Sequence, residues 1–348
     1  MTTQIYNALL AVALGAVVCV ALFVPFVAMS YRRRGRLTWG RALLWIAAAV
    51  YGWAIWTYTL IPLPQSDDFA CVGVNLNPLA FIDDINAALA TGSPLTSMFL
   101  LQLVFNIALF VPLGFFLRVL GGRGILVAGL AGLGISLLIE LTQVTGVWGL
   151  YHCAYRVFDV VDLMSNTLGA LVGSVVALMV PVRIRTGAAS TPADAPRPVT
   201  RGRRLLAMLC DAAGFWMVSV SVTVGVALVY SALAGVTTVG EWPAAVGTIT
   251  AVVIWSAVTL ATGQSVGDFA VMLRYVDARV PLVFARVLRL AGGVVGWIAV
   301  DYVPLIGGQL QTAFGLAAVV LIFLAPDSRG LPGLISTQRL TDARSRRD

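Results

Sequence analysis

Four polar side chains capable of ion and hydrogen-bond chemistry recur through the stretch RVFDVVDLMSNTLG at 156–169. If this stretch begins a helix, at about 100° per residue, Arg156, Asp159, Asp162 and Asn166 share one sector of about 120°. A guanidinium, two carboxylates and an amide on one face can bind a charged ligand or move a proton. The structural alternative is an ion pair of Arg156 with Asp159 or Asp162 that orients the helix. That pair leaves the second carboxylate and the amide unexplained.

Neighbouring segments supply polar partners for this face. The segment GISLLIELTQVTGVWG places Glu140 and Gln143 at i and i+3, hence on one helix face. Asn106 lies in LQLVFNIALFVPLGFF, and Asn75 lies in NLNPLAFI, in the loop before it. Because polar side chains inside a membrane almost always face protein or water, we expect these groups to converge on one outward-facing pocket. A purely structural polar network is the competing interpretation.

The elements that must position these residues are membrane helices. The chain has 348 residues, of which 59% are hydrophobic and 11% charged. This composition excludes a soluble globular protein and a disordered one. A membrane span needs about 20 mostly apolar residues. Nine segments meet this need, which predicts an all-α polytopic membrane bundle of about nine transmembrane helices: 5–29, 42–62, 98–120, 124–145, 161–181, 205–233, 244–262, 286–306 and 310–325.

Arginines set the predicted orientation, because all 23 basic residues are arginines. Basic residues concentrate on the cytoplasmic side, so the run YRRRGR after the first segment places the N-terminus outside and the C-terminus inside. Arg156 is the one arginine that falls outside under this assignment. The net charge of +7 then reflects orientation alone, and contacts of the inside arginines with anionic membrane lipids are the alternative. No nucleic-acid partner is predicted.

A stretch rich in Ala, Pro, Thr and Arg divides the chain. Residues 183–203 show no apolar periodicity, so we predict a cytoplasmic linker. It separates a five-helix membrane domain at 1–182 from a four-helix membrane domain at 204–338. A basic cytoplasmic tail is predicted at 339–348.

Two cysteines flank the polar motifs in predicted outer loops. Cys71 precedes NLNPLAFI and Cys153 precedes Arg156, and both face an exterior where disulfides persist. We predict a disulfide that holds the acidic loop 64–97 over the mouth of the pocket; the alternative is two unrelated thiols. The single histidine, His152, belongs to no cluster with metal-ligand spacing. No metal or cofactor is predicted.

The motifs NLNPLAFI, NIALFVPLGFFL, IELTQ and RVFDVVDLMSNTLGALVG, in this order, resemble the VanZ-like family over roughly residues 45–182. The resemblance implies a multispanning envelope protein of the bacterial plasma membrane. It also implies a link to resistance against the glycopeptide antibiotic teicoplanin. The family's characteristic positions fall on the eight polar residues named above and on Pro78, Phe110, Pro112, Gly114 and Gly169.

The second half resembles the RDD family over roughly residues 200–338. The segment RRLLAMLCDAAGFW places Arg204 and Asp211 seven residues apart on one helix face. The segments TGQSVGDFAVMLRYVD and FARVLRL resemble the family's cytoplasmic segment and its following basic helix, and they contain Arg274 and Arg289. Either of these arginines is a candidate to tether Asp211.

Two departures from the RDD pattern weigh against the ion transport attributed to some members of that family. Pro332 and Gly333 stand where the family usually has His-Asp, so its second aspartate is missing. Asp268 replaces the usual lysine after the glycine.

The function predicted from these residues is that of an envelope binding or resistance module. Its outer pocket would recognise a lipid-linked wall precursor, a lipid headgroup or a glycopeptide. One alternative is a membrane enzyme that acts on a lipid headgroup with Glu140 or Asp162 as general acid or base. Another is an ion or proton transporter with Asp211 and Asp301 as relay carboxylates. No complete catalytic motif is present, so a non-enzymatic role is favoured and catalytic residues stay unassigned. No oligomeric state is predicted.

Overall fold

The computed structural model describes residues 20–60, 63–64, 69–90, 97–182, 185, 192, 194–236 and 239–345. Its internal contacts separate two units. The first unit lies within residues 38–188, and the second combines residues from 16–37 with residues from 189–348.

Seven helices of the described chain are long and apolar enough to cross a membrane, and a bent helix pair makes eight if it counts as one span. These eight correspond one to one with the predicted segments from 42–62 onward. The predicted segment 5–29 lies largely outside the described residues, of which 20–34 form helix α1. The all-α polytopic fold is therefore confirmed, whereas the orientation in the membrane stays a prediction.

The first unit contains four long helices, one shorter helix and a two-stranded parallel sheet. The helices are α2 (Trp39–Leu60), α3 (Ala80–Ala90), α4 (Met98–Val119), α5 (Ile125–Val144) and α6 (Val160–Val176). A 3-10 turn at Ala177–Met179 extends α6. Strand β1 (Val74–Asn75) pairs in parallel with β2 (Phe158–Asp159). The chain turns between α5 and β2 through Gly146–Gly149, where Val147 and Trp148 have φ of 55° and 57°.

Helices α4 and α6 approach each other closely because glycines line their contact. A Cβ on Gly169 would overlap the Ile107 carbonyl oxygen, and a Cβ on Gly114 would overlap the Ala170 carbonyl oxygen. Small residues at a helix interface let two backbones approach in this way. The approach brings Asn106 of α4 and Asp162 of α6 within hydrogen-bonding reach.

The second unit contains α1 and seven further helices. They are α7 (Arg201–Ala234), α8 (Trp242–Thr262), α9 (Val266–Ala270), α10 (Leu282–Ala291), α11 (Val294–Ala299), α12 (Gly307–Leu324) and α13 (Gly330–Ile335). Two 3-10 turns lie at Val300–Tyr302 and Pro326–Ser328. Strands β3 (Leu273–Val276) and β4 (Arg339–Asp342) pair antiparallel.

The predicted continuous span 286–306 is wrong in one respect, because it is broken. Helix α10 and the helical residues 294–302 are bent by 50° relative to each other. The break falls at Gly292 and Gly293. Adjacent glycines favour a break here, because each costs helix stability.

Two segments belong to the second unit although the predicted domains place them elsewhere: helix α1 and residues 339–342. Helix α1 groups with the second unit, and Tyr31 shows why: its carbonyl oxygen accepts a hydrogen bond from Arg344 Nη2 at 3.0 Å, and its ring lies 5.4 Å from the Arg203 guanidinium. Residues 339–342, predicted as part of a tail, form β4 instead. Asp342 of that strand pairs with Arg203 at 2.7 Å.

Candidate functional site

Helix α4 and the first turn of α6 meet through a short hydrogen bond. Asn106 Nδ2 donates to Asp162 Oδ1 at 2.6 Å. The glycine-lined contact between the two helices makes this distance attainable. Both side chains were predicted to face one pocket.

Asp159 connects β1, in the segment between α2 and α3, to the start of α6. Its carboxylate accepts a hydrogen bond from the Val161 amide at 2.8 Å, which caps the helix. The same carboxylate accepts from Asn75 Nδ2, at 3.3 Å to each oxygen. The pairing of β1 with β2 sets Asn75 opposite Asp159.

The prediction that Arg156 and Asp159 begin the helix is therefore wrong. Phe158 and Asp159 are extended and paired with β1, and α6 starts at Val160. The aspartate side chain satisfies an amide that the helix leaves without an intrahelical partner, which stops the helix from extending toward Arg156. The four polar residues nevertheless face the same cavity.

Glu140 and Gln143 join α5 to the neighbouring segments. Glu140 is buried, and its Oε2 accepts a hydrogen bond from the Asp159 amide at 3.1 Å. Gln143 Nε2 donates to the Thr59 carbonyl at 2.7 Å, and Arg156 Nη1 donates to that same carbonyl at 3.1 Å. The end of α2 is thus held by two side chains from different elements.

Asn166 contributes an acceptor oxygen that receives no hydrogen bond from a described residue. Its Nδ2 donates to Ser136 Oγ at 2.9 Å. Its Oδ1 is buried and has no hydrogen-bond partner. A buried amide oxygen without a donor is costly unless something else supplies one.

These side chains surround a cavity of about 380 Å³. Of the eight predicted binding residues, seven line it: Asn106, Glu140, Gln143, Arg156, Asp159, Asp162 and Asn166. The eighth, Asn75, touches the cavity only through its hydrogen bonds to Asp159. A cavity of this size is large enough for the headgroup of a lipid or part of a peptide.

Sequence reasoning missed four polar residues that also line the cavity: Tyr58, Thr59, Gln102 and Tyr155. Thr59 acts through its backbone carbonyl, which no sequence pattern reveals. Burial raises the pKa of Tyr155, so its phenol stays neutral, and its hydroxyl donates to the Leu60 carbonyl at 3.5 Å. Gln102 lies four residues before Asn106, one helical turn away, and that spacing was the available signal.

The charges around the cavity are unbalanced. Three carboxylates and one guanidinium line it, yet among the described residues no ion pair involves Glu140, Asp159, Asp162 or Arg156. The alternative of an orienting pair between Arg156 and an aspartate of its own motif is therefore not what the structure contains. The carboxylates accept hydrogen bonds from neutral donors instead.

A disulfide joins Cys71 to Cys153 beside this cavity, as predicted. Their Cα atoms are 5.6 Å apart. The adjacent Val72 amide donates to the Ala154 carbonyl at 3.2 Å, which continues the connection toward β1 and β2. His152 lies 3.6 Å from the Cys71 sulfur. This Cys-His-Cys group offers no thiolate to a metal, because both sulfurs are in the disulfide.

The polar residues of the second unit form a paired, buried network. Asp268 pairs with Arg204 at 2.7 Å and with Arg289 at 2.8 Å. Asp211 accepts hydrogen bonds from Trp255 Nε1, Ser265 Oγ and the Gly267 amide, at 3.0, 2.6 and 2.7 Å.

The structure therefore corrects two expectations about the second unit. Asp211 is not tethered by Arg274 or Arg289: Arg289 pairs with Asp268, and Arg274 donates from β3 to the Ser345 carbonyl at 2.6 Å. Asp301, the second candidate relay carboxylate, is exposed and lines neither cavity that Asp211 lines.

Comparison with known proteins bears on the first unit. Residues 42–181 match the protein-family model described as VanZ/LLP1. This range contains every described residue that lines the cavity. Neither the curated proteins nor the solved structures include a match to the chain. This part of the chain is thus similar to the VanZ/LLP1 family, while the RDD resemblance of the second half stays a prediction.

Proposed function

We propose that this chain is a multi-pass protein of the bacterial plasma membrane whose first unit binds a component of the cell envelope. The candidate ligands are a lipid-linked wall precursor, a lipid headgroup and a glycopeptide. Through that binding the protein contributes to resistance against teicoplanin-type antibiotics. The match to the VanZ/LLP1 family supports this process, because it covers the elements that build the cavity.

The observation that carries the proposal is the set of unpaired charges around an open cavity. Buried charges in proteins are normally paired or bound to a ligand. In the second unit Asp268 follows that rule, since it has two arginine partners. In the first unit three carboxylates share a cavity of about 380 Å³ with one guanidinium, that of Arg156, and none of the three forms an ion pair among the described residues. A ligand that enters the cavity would supply the missing partner.

Recognition is favoured over catalysis by the residues that line the cavity. The described residues of this lining include no serine, cysteine, histidine or lysine. The Thr59 hydroxyl donates to the Ile55 carbonyl at 2.8 Å and not to a side chain that could take up its proton. A membrane enzyme that uses Glu140 or Asp162 as general acid or base remains the second candidate. It would need a water molecule or a ligand group as the nucleophile.

The transporter alternative rests on the RDD resemblance. Asp211 would be its buried carboxylate, but three donors already hold Asp211 and two arginines hold Asp268. This geometry favours a fixed network over a carboxylate that binds and releases ions.

Antibiotic susceptibility of a host that expresses the chain tests the proposal. We expect the wild type to raise the inhibitory concentration of teicoplanin and Asp162→Asn to lose that effect at equal membrane yield. Asp83→Asn is the matched control, because Asp83 is an exposed acid on α3 of the same unit. An unchanged susceptibility with the wild type would overturn the link to resistance.

A further inference from the structure

The cavity of the first unit offers mainly hydrogen-bond acceptors. Resting on the function proposed above, we infer that its ligand carries a primary ammonium group with an anionic group close to it. The ammonium binds the carboxylates and the Asn166 amide oxygen, and the anionic group binds Arg156. This assigns the ligand a zwitterionic class that the family resemblance does not specify.

Two acceptor atoms of the cavity residues are unused. Asn166 Oδ1 is buried without a partner, in a residue that is only 6% exposed. Glu140 uses Oε2 for the Asp159 amide, and its Oε1 accepts nothing from a described residue. Unused acceptors call for a donor, and an ammonium brings three N–H groups.

The charge of the cavity residues points to the same group. Glu140, Asp159 and Asp162 lie around it without an ion pair among the described residues. Each of the two aspartates is oriented by a neutral amide donor, Asn75 or Asn106. An ammonium is the compact cation that such oriented carboxylates bind through charge-assisted hydrogen bonds.

Arg156 defines the other end of the ligand. Its guanidinium makes one hydrogen bond, from Nη1 to the Thr59 carbonyl. Its remaining N–H groups have no partner among the described residues. A guanidinium with free N–H groups matches a carboxylate or a phosphate. Because this cation and the three carboxylates line one cavity, the two charges of the ligand must lie close together.

Other ligand classes fit these residues less well. A bare phosphate or pyrophosphate would meet three carboxylates and one guanidinium, which is a net repulsion. A divalent cation would need six or more oxygen ligands, and the Asp159 and Asp162 carboxylates that would supply them already accept hydrogen bonds from the Asn75 and Asn106 amides. A primary ammonium leaves both amides in place.

Two envelope sources present this chemistry: the headgroup of an aminophospholipid, and a peptide amine on a wall precursor or glycopeptide. The test uses the purified full chain with its disulfide intact. One arm measures binding of phosphatidylethanolamine against its N-acetylated form in detergent micelles. The other arm measures binding of a short peptide with a free lysine amine and a free carboxyl terminus against its Nε-acetylated form.

We expect acetylation to weaken binding in one arm by about tenfold or more, the range for loss of a charge-assisted hydrogen bond, and that arm identifies the source. Glu140→Gln should reduce the discrimination between amine and acetylated probe. Arg156→Gln should weaken both probes and keep the discrimination. Asp83→Asn, the exposed acid, should change neither.

Three outcomes would overturn the inference: equal binding of the amine and acetylated probes, no binding of either amine probe, or tighter binding of inorganic pyrophosphate or magnesium. If any of these occurs while Asp162→Asn still abolishes teicoplanin resistance, the proposed function stands and only the ligand class fails. If the wild type also confers no resistance, both fail.

Discussion

At the scale of single residues, the two units place aspartate side chains in different surroundings. Asp268 is buried between two arginines, whereas Asp162 receives a neutral amide and faces a cavity. Removal of one partner from a buried ion pair leaves a charge without compensation, but removal of an unpaired charge leaves nothing behind. The two aspartates should therefore lose very different amounts of stability in the same substitution.

We predict that Asp268→Asn lowers the free energy of unfolding by about 3–5 kcal/mol. The substitution removes the negative charge that compensates the buried guanidinium groups of Arg204 and Arg289. Asp162→Asn should cost about 1 kcal/mol or less, since an amide oxygen still accepts from Asn106. Thermal unfolding in detergent measures both, with exposed Asp301→Asn as the control. Equal losses for the two variants would show that the first-unit network is structural.

The polar residues of the candidate site could be predicted from the sequence, because a carboxylate or an amide inside an apolar helix almost always faces protein or water. The roles of Thr59 and Asn75 were harder to predict. Thr59 contributes a carbonyl, and every residue has one. Asn75 reaches Asp159 only because β1 pairs with β2 across 84 positions of the chain. Local periodicity cannot detect such a pairing, and it produced the mistaken helix start at Arg156.

At the scale of elements, helix spans were predictable to within a few residues because apolar length is a strong signal. The sequence shows the glycine pair Gly292 and Gly293, but it does not predict that the helix bends there. Helix packing was not predictable, although it decides the geometry of the site. Gly169 permits the contact between α4 and α6 that brings Asn106 to Asp162.

We predict that Gly169→Ala destabilises the protein by about 1–3 kcal/mol, because the added Cβ overlaps the Ile107 carbonyl oxygen and forces the helices apart. Teicoplanin resistance should fall with it as the Asn106–Asp162 hydrogen bond lengthens. Gly134→Ala on α5 is the matched control, since a Cβ there meets nothing within 4 Å, and better helix propensity should leave it equal or slightly more stable. An undisturbed melting temperature for Gly169→Ala would contradict the role of this contact.

At the scale of the whole molecule, one covalent bond holds the segment that contains β1 to the site. The disulfide connects residues 82 positions apart, next to the β1–β2 pairing. The chain-entropy model gives about 4 kcal/mol for a loop of this length, as an upper figure because membrane helices already restrict it. The assignment of α1 to the second unit, by contrast, had no sequence signal, since chain order alone had placed it in the first.

We predict that a reducing agent lowers the melting temperature and weakens ligand binding, because Asn75 loses its fixed position against Asp159. The double variant Cys71→Ser, Cys153→Ser should show the same loss and no further response to reductant. A thiol reagent should label neither outer cysteine before reduction. Labelling of both without reductant would contradict the bond and leave the loop free to move.

Orientation in the membrane decides whether the cavity can meet an envelope ligand at all. The arginine distribution places the N-terminus outside and the C-terminus inside, and the disulfide agrees, because such bonds persist outside the cytoplasm. A reporter active only in the cytoplasm should therefore be active when fused after Asp348 and silent when inserted between residues 64 and 97. Substitution of Arg32, Arg33 and Arg34 by Gln should weaken this bias without reversing it, because later arginines point the same way. An active reporter in the outer loop would turn the cavity toward the cytoplasm and exclude direct recognition of an antibiotic outside the membrane.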